Sequence, residues 1–301
     1  MTRFHAVLTG LLLGWWLPAT AQAELNIFAC EPEWGSLAQT LGGEHVNVFT
    51  ATTAQQDPHH IQARPGLIAK MRRADLLICT GADLEVGWLP VLLRQAGNDR
   101  VQPGRPGHFM ASEQLPLLDK TGSVDRSQGD IHPAGNPHIH TDPRNIAKVA
   151  QALAARLALI DAANASRYAE RHRDFDQRWQ AALNQWAQKA APLRGISIVV
   201  DHNSWIYLEH WLGLQQLASL EPKPGIPATV GHLSSVLNQL QRLPARMIIR
   251  AAYQPDKSAQ WLATRANIPV VTLPFTVGGT DQAKDLFSLY DDTINRLLGA
   301  L

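Results

Sequence analysis

The sequence predicts an α/β protein of two lobes with mainly parallel sheets, joined by one long linking helix. Three observations predict it. Short apolar runs alternate with stretches whose apolar residues recur at helical spacing, the signature of strand–helix units. That alternation lapses once, between about residues 122 and 143, and is then interrupted by an unbroken helical pattern from about 163 to 191. Finally, 301 residues are enough for one large or two medium domains.

Taken in order, the N-terminal stretch comes first. One arginine, an apolar run from about Val7 to Leu17, Pro18 and the small residues Ala-Gln-Ala at 21–23 form a secretory signal, with cleavage expected after Ala23. The run is too short for a bilayer span, which needs ~20 residues. Cys30 follows Phe28-Ala29, a poor lipoprotein sequence, so a soluble exported chain starting near Glu24 is expected.

"LNIFAC" reads as a buried strand. A helix with Trp34, Leu37 and Leu41 follows and stops at Gly42-Gly43. "VNVFT" is the next strand and leads into the loop "DPHHIQARP". A helix from about 65 to 73 opens on Pro65, suited to a first helical turn. "ADLLIC" is a strand and "EVGWLPVLLRQA" a helix. The Gly/Pro/Asp-rich segment 122–143 is a long loop, and loops of that length are usually functional. Asp142-Pro143 caps the next helix, whose face carries Ile146, Val149, Leu153 and Leu157. In the long pattern that follows, Tyr168, Phe175, Trp179, Leu183 and Trp186 share a face, which marks these tryptophans as core rather than a sugar-binding surface. Strand–helix alternation then resumes through "ISIVVD", "NSWIYLEHWLGL", "LQQLASLEP", "HLSSVLNQLQRL", "RMIIRAA", "SAQWLATRAN" and "IPVVTLP". A last helix is expected from about 283 to 298. The expected division is 1–23 signal, 24–160 N-terminal lobe, 161–193 linking helix and 194–301 C-terminal lobe.

A formal net charge of +1 gives no electrostatic case for nucleic acid, and no polybasic stretch suggests a membrane surface. The two cysteines, Cys30 and Cys79, each end an apolar run. They read as two buried thiols, or as one disulfide between neighbouring strand ends in an oxidising compartment. There is no G-x-S-x-G, no phosphate-cradling glycine motif and no H-E-x-x-H.

The chemistry rests on histidines. His59, His138 and His202 each sit in a loop that enters a helix, and ligands of α/β sheets collect at such strand ends. Three imidazoles and a carboxylate or water complete a tetrahedral zinc site. Twelve histidines can also place three in loops by chance, so spacing alone leaves both readings open. His60, His132 and His140 read as loop surface, with a supporting or alternate-ligand role as the other option. His45, His108, His172 and His210 read as packing or surface, and His232 as part of a helix's first turn.

"DPHHIQARPGLIAKMRRADLLICTGADLE", "GNPHIHTDPRN" and "DHNSWIYLEHWLGL" together resemble the periplasmic zinc- and manganese-binding proteins of ABC importers (the ZnuA/TroA type, cluster A-I). The resemblance runs over nearly the whole mature chain. It implies metal ligands at His59 rather than His60, at His138 and at His202. The family's fourth ligand, an aspartate after the last strand, is not matched, because "VVTLPFTVGGTDQAKDLF" has Leu273-Pro274 there. Asp281 is the nearest substitute, then Asp285, then water. Imidazole-rich ligation suits Zn2+ better than Mn2+. The resemblance further implies a monomeric periplasmic solute-binding protein, not an enzyme, that delivers Zn2+ to an inner-membrane ABC permease with its ATPase, with a metallochaperone as a further partner. The rivals are a secreted zinc hydrolase using the three histidines, for which Glu31 and Glu85 fit no catalytic pattern, and a manganese-binding or adhesin-type member of the same scaffold.

Overall fold

The computed structural model describes residues 24–120, 122 and 129–301. The signal segment and part of the long loop lie outside the described residues. Strands β1 (Leu25–Ala29), β2 (Val46–Thr50), β3 (Leu76–Cys79) and β4 (His108–Met110) form a parallel sheet in the order β2-β1-β3-β4. Strands β5 (Ser197–Val200), β6 (Gln215–Ser219), β7 (Met247–Ala251) and β8 (Val270–Leu273) form a second, in the order β6-β5-β7-β8. Both sheets have one topology: the first strand of each lobe lies inside, flanked by the second and third.

The helices follow from the same residues. In α1 (Pro32–Gly42) proline sits in the first turn, and Trp34, Leu37, Ala38 and Leu41 are buried. Gly42 meets Val46 so closely that a Cβ there would lie 2.3 Å from a valine methyl. Helix α2 (Pro65–Arg73) spans the residues expected of it, whereas α3 (Leu89–Ala96) is shorter than its sequence pattern. The difference lies at residues 85–88, where the Glu85 carboxylate accepts from the Thr80 and Gly81 amides and holds a turn instead. Strand β4 was not expected, since three residues between glycine and proline carry no periodicity.

Helix α4 (Pro143–Ile160) is capped by Asp142, which accepts from the Arg144 amide. Helix α5 (Ala165–Lys189) has 25 residues and is therefore ~37 Å long. It packs on α1 and α4 from one side and on α9 (Leu286–Leu298) from the other. Trp179 stacks on Phe175 at 5.0 Å and meets Trp186 edge-on at 5.1 Å. Their indole N–H groups are not wasted, donating to the Pro143 carbonyl and to Asp291. Helices α6 (Ile206–Leu212), α7 (Val230–Leu240) and α8 (Lys257–Ala266) complete the second lobe. One apolar cluster reaches from Ile27 in the first sheet through α5 to Ile198 in the second. Such a shared core opposes wide hinge motion.

Cys30 and Cys79 form a disulfide between the ends of adjacent strands β1 and β3, which decides between the two readings of the cysteines. Among the described residues no helix is long and apolar enough to cross a membrane.

Candidate metal site

His59 belongs to the loop after β2. The Trp88 indole holds that loop by donating to the Pro58 carbonyl at 2.9 Å, and Gly87 lies so close that a Cβ would stand 3.2 Å from the His59 carbonyl. His138 enters a short 3-10 turn, Ile139–Thr141, ahead of α4, where its amide donates to Asn136 Oδ1. His202 follows β5 by two residues. The preceding Asp201 amide still donates to the Ile249 carbonyl of β7, so the histidine starts from the C-terminal end of the inner strand. Each is therefore held in place by hydrogen bonds of its own loop or strand end.

The three imidazoles converge. Each offers a nitrogen within 4.8 Å of the other two, and ring centroids are 5.4 Å apart for His59–His138 and 5.7 Å for each pair with His202. All are buried, His138 completely. His59 Nδ1 donates to Asp57 Oδ1 at 2.7 Å, which leaves Nε2 facing inward without a partner among the described residues. His202 Nδ1 donates to Glu221 Oε2 at 2.6 Å. In both cases a carboxylate fixes the tautomer and aims the remaining lone pair, the arrangement that orients metal-ligating histidines. Neither His138 nitrogen has a hydrogen-bond partner among the described residues.

Burial, and then the neighbouring His59 and His202, push His138 well below its ordinary range. It is thus neutral at neutral pH, with the lone pair of one ring nitrogen free. Asp57 is lowered. Burial opposes this most strongly, but the hydrogen bond and charge of His59 outweigh it.

The acids expected to complete the set do not reach it. Asp281 is exposed and is not among the groups that converge. Asp285 is spent on the N-cap of α9, exchanging hydrogen bonds with Ser288 in a capping box. After β8 the chain instead presents Phe275, whose ring lies 5.5 Å from His138 and 4.7 Å from His140. An apolar wall therefore stands beside the imidazoles on that side.

Two neighbouring histidines differ from the loop-surface reading, and one keeps it. His140 is buried: one ring nitrogen meets the Phe275 carbonyl at 3.1 Å and the other lies 3.3 Å from Glu33. His132 is half-buried beside the site, with its ring 5.4 Å from His59 and 6.3 Å from His138. His60 is exposed, 3.5 Å from Asp130. Sequence reasoning gave His132 and His140 no stronger weight because both lie in an irregular segment, where no periodicity reports burial. Glu31 and Glu85 both accept from the Thr80 amide.

The fold and these motifs meet in one set of comparisons. The model of the zinc-uptake complex component A periplasmic family, ZnuA, matches residues 27–300. The chain belongs to that family. Similar curated proteins include the metal ABC transporter substrate-binding lipoprotein ScbA of Streptococcus cristatus, 20% identical over 90% of this chain and 86% of its own length. The manganese ABC transporter substrate-binding lipoprotein PsaA of Streptococcus anginosus is likewise 20% identical, with the same coverage. A solved ZnuA structure superposes with a TM-score of 0.73 at 20% identity, covering 91% of this chain and 99% of that one. The laminin-binding adhesin of Streptococcus agalactiae reaches 0.71 at 18%, covering 91% of this chain and 99% of that one, so the shared fold alone does not select a function. The family consists of substrate-binding proteins of metal ABC transporters, not enzymes, and this chain is a metal-binding member of it.

Proposed function

We propose that this protein captures Zn2+ in the periplasm between its two lobes and delivers it to an inner-membrane ABC permease with its ATPase. The observation that carries this reading is the convergence of His59, His138 and His202, two of them aimed by Asp57 and Glu221, with no carboxylate among the converging groups. Neutral imidazoles favour zinc, whereas manganese prefers oxygen donors. Relatives named for manganese make the choice of cargo a matter for measurement. The proposal includes export by a signal cleaved after Ala23, lobes at 24–160 and 194–301 with 161–193 between them, a monomeric state and loading by a metallochaperone.

The test is metal content and titration of the mature protein with Zn2+ and Mn2+, beside His138→Ala. One Zn2+ per chain, bound far more tightly than Mn2+ and lost in the variant, is the expected result. Preference for Mn2+, or zinc uptake indifferent to His138, refutes it.

A further inference from the structure

We propose that His132 is the fourth metal ligand, so that the ion is held by four imidazoles and no carboxylate. This rests on the metal-binding reading above and assigns the position that Asp281 leaves open. Four observations support it.

Both nitrogens of His132 are buried and have no hydrogen-bond partner among the described residues. The Ala82 carbonyl is close, but outside hydrogen-bonding geometry. Leaving a buried polar group unsatisfied is destabilising. A polar ring that bears this cost beside three converging imidazoles is placed as a donor waiting for an acceptor of lone pairs. Its ring lies 5.4 Å from that of His59 and 6.3 Å from that of His138. Its nitrogens therefore stand just outside the 4.8 Å set that the other three form and have to close in when the ion binds.

The competing oxygen donors are occupied. Asp57 and Glu221 accept from the outward nitrogens of His59 and His202, Asp130 faces exposed His60, and Asp119 accepts from the Asn203 side-chain amide. On the β8 side Phe275 fills the wall.

The segment that carries His132 is also seated against the second lobe. The Asp130 amide donates to the Pro224 carbonyl at 2.8 Å. Gly129, at φ +87°, lies so near that a Cβ would come 2.0 Å from that carbonyl oxygen, and Gly225 faces Asp130 Oδ2 as closely. At the other end Asn136 donates to the Asn203 carbonyl and accepts from the Tyr207 hydroxyl. His132 is thus held over a cavity of ≈110 Å³ that it lines with His138, His202, Asn203 and the carboxylates Asp119 and Asp130.

The chemical consequence is selectivity. Four neutral nitrogens suit Zn2+, and also Cu2+ and Ni2+, but give Mn2+ none of the oxygen it prefers. Replacing His132 by aspartate would move the site toward manganese.

X-ray absorption of the zinc-loaded mature protein and competitive titration decide the matter, using wild type, His132→Ala and His132→Asp. Wild type should show four imidazole nitrogens around zinc. His132→Ala should show three with one oxygen and bind zinc more than about 100-fold more weakly, beyond the ~10–100-fold that losing a supporting partner costs. His132→Asp should regain zinc affinity and bind Mn2+ more tightly than wild type does, which a variant that merely unfolds cannot do. Zinc bound by three imidazoles in wild type, unchanged in His132→Ala, overturns this assignment and leaves the zinc reading standing. Failure of wild type to take up zinc overturns both.

Discussion

The two sheets share a topology, yet their equivalent positions do different work. In the first lobe the inner strand β1 ends before Cys30 and Glu31, and in the second the inner strand β5 ends before Asp201 and His202. The first slot is closed by the Cys30–Cys79 disulfide, and the second presents a metal-facing imidazole. A locked slot cannot supply a ligand, so the first lobe's donors come from the loop after β2 and the segment before α4. Strand order therefore sets where a ligand can stand, and the residue at the strand end decides whether one does.

The comparison breaks most readily at His202, the second lobe's sole member of the converging set among the described residues. His202→Ala should weaken zinc binding by more than about 100-fold, because the loss of a supporting partner alone costs ~10–100-fold. Calorimetric titration reads it directly. Tight binding in the variant would mean that the first lobe suffices and that the lobes do not share the ion.

The disulfide is next. It closes a loop of 49 residues, and Cys30→Ala with Cys79→Ala should cost about 2–4 kcal/mol of stability, read from denaturant midpoints. Zinc affinity should change far less, since neither sulfur touches the histidines' hydrogen bonds. A large loss of affinity would show instead that the lock positions the site. Glu221→Gln should be milder still, about 10-fold in zinc affinity, with Asp57→Asn similar. If one lobe's carboxylate matters and the other's does not, the histidines are not oriented alike.

Much of this was legible in the sequence. The strand–helix alternation located seven of the eight strands, and Pro65 and Pro143 marked helix starts that the structure keeps. The three histidines stood out because each lies in a loop that enters a recognisable helix. What failed was whatever lacked periodicity. Strand β4 has three residues, and His132 and His140 lie where burial depends on contacts far along the chain, such as that of His140 with Phe275. Asp281 was favoured because sequence shows an acid's proximity to a strand end but not which way a glycine-rich turn will carry it. The disulfide needed the sheet order, since only the adjacency of β1 and β3 brings the cysteines together.

The smallest effect sharpens the comparison through the helices that follow the two slots. Both carry a carboxylate that is largely withdrawn from water. Glu33 in α1 accepts from the Thr276 hydroxyl at 2.5 Å and lies against His140. Glu209 in α6 leaves Oε1 buried without a partner among the described residues, and burial pushes its carboxyl up to about 7. The unfolded chain releases that proton near the ordinary value of 4.5, the folded chain only near 7. Between those values the folded state binds more protons, so Glu209 makes stability fall as pH rises through that window and leaves the full penalty above it. Glu209→Gln removes the penalty. Its stability relative to wild type should rise by about 1–2 kcal/mol between pH 4.5 and pH 8, read from urea midpoints at the two pH values. A pH-independent difference would mean that Glu209 finds a partner or water in solution, and the second lobe's helix would then carry its carboxylate as comfortably as the first.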